Sequence, residues 1–242
     1  AAVKIGTTSS LEYLDTTAKS NTTYTYKVRG INSSVQGNFS GVKTVKYLSM
    51  PKTTATLGKS GYTIKWTKVD GASTYRIYRA EYSNGKWSNW NKLSDQKASV
   101  TSFKDKNVKA GGVYKYTVRA LASGGVASAY KGTPTLVYLT TPTVKIANAT
   151  GGIKGSWNAV AGAEGYIIYR SEYNASTKKW SNWSNLGKTK ATTKSFTDKT
   201  AVSGKTYRYT VRAVNGDNMS LYTASNTLLY LAEPTVTIAN AK

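Results

Sequence analysis

One seven-residue phrase, written three times, restricts this chain more than any other feature. Thr23-Tyr24-Thr25-Tyr26-Lys27-Val28-Arg29 returns as Val113-Tyr114-Lys115-Tyr116-Thr117-Val118-Arg119, and again as Thr206-Tyr207-Arg208-Tyr209-Thr210-Val211-Arg212. Tyr24, Tyr114 and Tyr207 stand 90 and 93 residues apart. A second marker keeps the same period: Tyr47-Leu48, Tyr138-Leu139 and Tyr230-Leu231, each followed at one offset by Pro51, Pro142 or Pro234. Trp66 has its counterpart in Trp157. Self-similarity at a fixed period means a tandem array rather than one large core.

The period divides the chain. Residues 50–140 and 141–232 are complete units. Residues 1–49 match only the second half of a unit, since Tyr13 and Asp15 align with Phe103 and Asp105 and with Phe196 and Asp198. Residues 233–242 match only a first strand, because Pro234-Thr235-Val236 repeats Pro142-Thr143-Val144. The chain thus reads as a window on a longer array. A half-unit cannot bury its inner face alone, so residues 1–49 are expected to borrow a neighbour, to belong to a nicked chain, or to be partly disordered. Between units the linkers Leu139-Thr140-Thr141-Pro142 and Leu231-Ala232-Glu233-Pro234 are nearly absent, and proline stiffens them. A semi-rigid rod follows.

Within a unit, short alternating segments are separated by turn signals every 8–12 residues or so, the pattern of a β-sandwich. Thr63–Trp66, Thr74–Arg79, Ser99–Lys104, the run from Tyr114 to Ala120 and Thr135–Leu139 read as strands, with Gly85-Lys86 at a hairpin tip. The period of two turns Tyr75, Ile77, Phe103, Tyr114, Tyr116, Val118 and Ala120 inward. It turns Arg76, Tyr78, Lys115, Thr117 and Arg119 outward, and likewise Ile167, Tyr169, Arg208, Thr210 and Arg212. The fold class is all-β: tandem immunoglobulin-like sandwiches.

The order of Trp66, then Val69-x-Gly71-Ala72-x-x-Tyr75-x-Ile77-Tyr78-Arg79, then Tyr114-x-Tyr116-x-Val118-Arg119-Ala120 resembles the fibronectin type III family. It is most similar to the bacterial extracellular form found in Gram-positive, clostridial surface proteins. The resemblance covers both complete units and the partial ends. It implies that Trp66 and Trp157 are core tryptophans of the second strand. It implies that Tyr24, Tyr114 and Tyr207 stand at the tyrosine corner. It also implies a secreted or cell-surface setting and no catalytic site, cofactor or metal. No Arg-Gly-Asp occurs, so the integrin-binding site of some family members does not carry over.

Composition agrees on chemistry. The chain has no His and no Cys, which removes imidazole general bases, thiol nucleophiles, disulfides and zinc knuckles. The eight acids of the two units scatter over turns, unlike the facing pair a glycosidase needs. No apolar run approaches the roughly 20 residues of a membrane span. Lys and Arg outnumber Asp and Glu by 34 to 11, a net +23. Unit 50–140 carries 15 bases against 4 acids, and unit 141–232 carries 12 against 4. Charge so distributed, without a recognition helix, predicts no specific nucleic-acid site. Nonspecific polyanion binding that falls with salt is still expected.

Two features are left to carry recognition. One is the hairpin Tyr78-Arg79-x-Glu81-Tyr82 with Lys86-Trp87-Ser88-Asn89-Trp90, repeated as Tyr169-Arg170-x-Glu172-Tyr173 with Lys179-Trp180-Ser181-Asn182-Trp183 across tips of different length. Two Trp three apart on a strand face opposite sides, so one of each pair should be partly exposed. The bland alternative packs Tyr82 and both Trp as a mini-core under a loop. The other feature is the basic sheet face of Arg76, Lys115, Arg119, Arg208 and Arg212, or, in its bland form, a solvated surface. The leading expectation is a surface array binding a host or cell-surface macromolecule, protein or glycan. The alternatives are a passive spacer, a carbohydrate-binding module with sugar-stacking Trp, and a binder of host proteins such as immunoglobulins.

Overall fold

The computed structural model describes residues 2–236 and 238. The first strands are β1 (Thr22–Tyr26) and β2 (Lys43–Tyr47). Next come β3 (Thr53–Gly58), β4 (Gly61–Trp66), β5 (Thr74–Ser83), β6 (Lys86–Trp87), β7 (Asn91–Lys97), β8 (Ser102–Asp105), β9 (Val113–Leu121) and β10 (Leu136–Val137). The set recurs as β11 (Val144–Ala149), β12 (Gly152–Trp157), β13 (Gly165–Asn174), β14 (Lys179–Trp180), β15 (Ser184–Lys190), β16 (Ser195–Asp198) and β17 (Thr206–Asn215), closing with β18 (Asn218–Met219) and β19 (Leu228–Leu229). The described residues contain no α-helix.

Each of the two large units packs a three-stranded sheet on a larger one. In the first, β3-β4-β8 faces β10-β9-β5-β6, with β7 pairing β5. In the second, β11-β12-β16 faces β14-β13-β17-β18, with β15 pairing β13 and β19 pairing β17. All pairings are antiparallel. Alternation decides the cores: Tyr75, Ile77, Tyr114, Tyr116, Val118 and Ala120 are buried, as are Tyr166, Ile168, Tyr207, Tyr209, Val211 and Ala213. Trp66 and Trp157 lie within the same two clusters. Strand β7 has no counterpart in the sequence reading, because Asn91–Lys97 alternates too weakly to declare itself.

The tyrosine corner is formed three times. Tyr114 Oη accepts from the Lys109 backbone N–H at 2.8 Å, Tyr207 Oη from Val202 at 3.1 Å, and Tyr24 Oη from Lys19 at 2.9 Å. The half-unit keeps this corner although it has only the β1–β2 ribbon. In residues 2–49 Val3, Leu11, Leu14, Val28 and Val42 are exposed. The reading of a first strand over 233–242 falls largely on Thr237 and residues 239–242, outside the described residues.

Neighbouring units share core. Leu136 and Tyr138 pack into their own unit, while the alternate residues Val137 and Leu139 are buried in the cluster of the following one. Leu48 does the same for unit 50–140. Leu229 and Leu231, the counterparts in the last unit, are 50% and 59% exposed. Turns meet at each junction. A Cβ on Gly162 would stand 2.8 Å from Gly111 Cα, and one on Gly71 would strike the Asn21 side chain. Both glycines also have positive φ, so no other residue fits without strain. Asn218 adds a clamp, accepting from Val137 N–H at 3.1 Å and donating to Thr135 O at 3.4 Å.

Candidate functional site

The sequence candidates separate into core-edge, tethered and open side chains. Arg79 and Arg170 are largely buried at the edge of the core, 14% and 21% exposed. Arg79 Nη1 meets Asp105 at 2.8 Å and the Asn107 carbonyl at 2.8 Å, and the guanidinium also binds Glu81. Tyr116 Oη donates to the same Asp105 at 2.9 Å. Unit 141–232 repeats this with Arg170, Asp198 and Tyr209, at 2.9 and 2.7 Å. Burial and the Asp105 charge push the Tyr116 phenol well above its ordinary range, and burial and Asp198 do the same to Tyr209. These arginines, expected at a binding surface, are therefore consumed inside the sandwich. Each is aimed along a strand toward a buried carboxylate that would otherwise be unpaired.

Arg76, Arg119 and Arg212 are tethered. Arg76 binds Asp95 bidentately at 2.8 and 3.0 Å, and this pairing draws the Asp95 carboxyl down to about 2. Arg119 Nε donates to Ser128 O, and Arg212 Nε to Ser220 O, both at 2.8 Å. The supposed open face is also partly roofed. Thr117 and Thr210, read as outward, are buried, because their hydroxyls donate to Lys131 O and Thr223 O on segments folded over the sheet.

The aromatic hairpin has a geometry the strand period did not predict. The two Trp of each pair share one face. β14 stops at Trp180, and Ser181 then turns the chain: its N–H donates to Glu172 O at 2.8 Å while its Oγ accepts from Glu172 N–H at 3.0 Å. Ser88 makes the same two bonds to Glu81. The period of two ends there, and the second Trp folds back. A ladder results. Tyr173 packs on Trp180 with centroids 5.2 Å apart, and the Arg208 guanidinium lies over both Trp180 (4.3 Å) and Trp183 (5.0 Å). Tyr222 meets Trp183 edge-on at 5.9 Å, and Arg212 covers Tyr222 at 5.6 Å. In unit 50–140 the rungs are Tyr82, Trp87 and Lys115, then Trp90, Tyr130 and Arg119. All four Trp are half-buried. Tyr78 and Tyr169 lie half-buried on the same outward side.

Tyr130 and Tyr222 are rungs that the sequence reading missed. A signal was present: Ser128-x-Tyr130 and Ser220-x-Tyr222 recur 92 residues apart.

Residues 141–222 match the family model described as fibronectin type III domain, SaeA third domain. A two-domain fibronectin type III segment of chicken tenascin is 15% identical with a TM-score of 0.40, covering 75% of this chain and 99% of that one. The FN1–FN3 domains of chicken CNTN1 are 18% identical with a TM-score of 0.31, covering 86% and 75%.

Proposed function

With residues 141–222 matched by a fibronectin type III model and the chain folded as tandem sandwiches, we propose that this is a non-catalytic, extracellular binding array. We place it on the surface of a Gram-positive bacterium, where it engages a host or cell-surface macromolecule. The observation that carries the reading is the cation–aromatic ladder, built twice on the same sheet face despite hairpin tips of different length. Each hairpin holds two half-buried Trp at the surface of its unit. Presented once per unit, the ladders add avidity for a polymeric or clustered ligand. The buried carboxylates argue against catalysis, since Asp105 and Asp198 are each held by an arginine and a tyrosine.

The test is binding of the immobilised full chain to purified surface polysaccharides and extracellular-matrix proteins, with Trp87→Ala/Trp180→Ala as the paired variant and a thermal melt as folding control. A folded variant that has lost its ligand supports the array. A folded variant that binds as well as the parent removes the ladder from function.

A spacer is the second reading. It is favoured by the shared cores at Leu48 and Leu139, which fix one unit on the next.

A further inference from the structure

We propose that the cage of Trp180, Arg208 and Trp183 is a receptor for the carboxylate or sulfate groups of an acidic polysaccharide. This rests on the binding-array reading and names its ligand. Within the two complete units, every other arginine has a partner: Arg76 with Asp95, Arg79 with Asp105, Arg170 with Asp198, Arg119 with Ser128 O and Arg212 with Ser220 O. Arg208 alone has neither ion pair nor hydrogen bond among the described residues. Its Nε is buried without a partner. The nearby carboxylate, Glu172, faces Tyr207 across the sheet and is 3.4 Å from Lys205 instead.

The Arg208 guanidinium carbon stands 4.3 Å from the Trp180 ring centroid and 5.0 Å from that of Trp183, so a ligand would meet it at the guanidinium edge. That edge is a planar fork of N–H donors, which fits a carboxylate or sulfate and suits a neutral hydroxyl poorly. Stacking also strips water from the cation and fixes its side chain, so little freedom remains to be lost on binding. Lys115 occupies the equivalent position in the preceding unit, its ammonium 4.5 Å from the Trp87 ring and without an ion pair among the described residues. The half-exposed Tyr222 ring beside Trp183 offers the sugar an apolar edge.

The experiment titrates the full chain with polygalacturonate and chondroitin sulfate, following tryptophan fluorescence, with dextran as a neutral blank and polyglutamate as a peptide polyanion. Arg208→Gln is expected to weaken polygalacturonate roughly tenfold or more, as loss of a charge-assisted bidentate contact requires. Arg208→Lys is expected to recover part of that, and Lys115→Arg to tighten binding. Lys154→Gln, an equal loss of charge at an exposed site on the opposite sheet, should change affinity less than twofold. The proposal is overturned if Lys154→Gln weakens binding as much as Arg208→Gln, or if polyglutamate binds as tightly as polygalacturonate. Arg208→Lys decides the matter should Arg208→Gln not fold, and parental affinity in that variant would also overturn the proposal. A chain that ignores both acidic polymers yet binds a neutral surface ligand through Trp87 and Trp180 refutes this inference and leaves the array reading standing.

Discussion

Removing the Asp198 carboxylate takes the acceptor from four donors at once: the Arg170 guanidinium, the Tyr209 phenol, and the backbone N–H and hydroxyl of Thr200. Two of these reach into a nearly closed interior, so the cost is that of unpaired buried groups and not of one lost surface pair. Asp198→Ala is expected to lower stability by about 3 kcal/mol, read from urea unfolding. The same site fixes an acid limit. Burial raises the Asp198 pKa, but bonds from Thr200, Tyr209 and Arg170 outweigh it and hold the group below 3.8. Its contribution is therefore complete above that ordinary value and is lost as the pH falls through the lower native one. Urea midpoints measured between pH 5 and pH 2 should fall more steeply for the parent than for Asp198→Asn. The sequence aligned Asp105 with Asp198. It could not choose their partners, because alternation puts Arg79 and Arg170 on the inward parity of Ile77 and Ile168 without saying which carboxylate of the facing sheet each one meets.

At the scale of the hairpin, the serine of Trp-Ser-Asn-Trp does the positioning. Ser88 and Ser181 each close a pair of bonds to the opposite strand and so return the second Trp to the face of the first. The tips beyond are free to differ. One turns at Asn84-Gly85, both with positive φ, and the other runs through an Asn174-anchored turn to Lys178. Ser181→Ala is expected to cost about 1 kcal/mol and to release Trp183 from Arg208. The near-ultraviolet dichroism of the stacked indoles should weaken while the far-ultraviolet spectrum stays unchanged. This element marks where strand periodicity stops being informative. The repeated Trp were legible, and so were the outward cations beneath them. The reversal of Trp90 and Trp183 was not, since it depends on where a two-residue strand ends. The roofing of Thr117 and Thr210 was hidden likewise, being set by a segment with no pattern of its own.

For the molecule as a whole, repeat and alternation were enough to give the sandwich class, because period and alternation survive any choice of surface residue. How units join was written there too, in Tyr-Leu before each proline, but its meaning needs two cores in view. Leu139→Ala should destabilise unit 141–232 by about 2–4 kcal/mol, the cost of truncating a buried leucine. Spin labels placed on either side of the junction should then report a broader distance distribution. Leu231→Ala, at an exposed position, should change stability by less than about 0.5 kcal/mol in the same chain.

Leu48 and Leu139 are covalently part of one unit and energetically part of the next. That asymmetry gives the array a polarity. If a unit melts, it withdraws a plug from the core that follows it, whereas the unit before it keeps its own core intact. Damage should therefore spread toward the C-terminus and stop at the intact neighbour on the N-terminal side, as a zip opens from one end only. An array built this way, pulled from one end, would yield in a set sequence rather than at a random link.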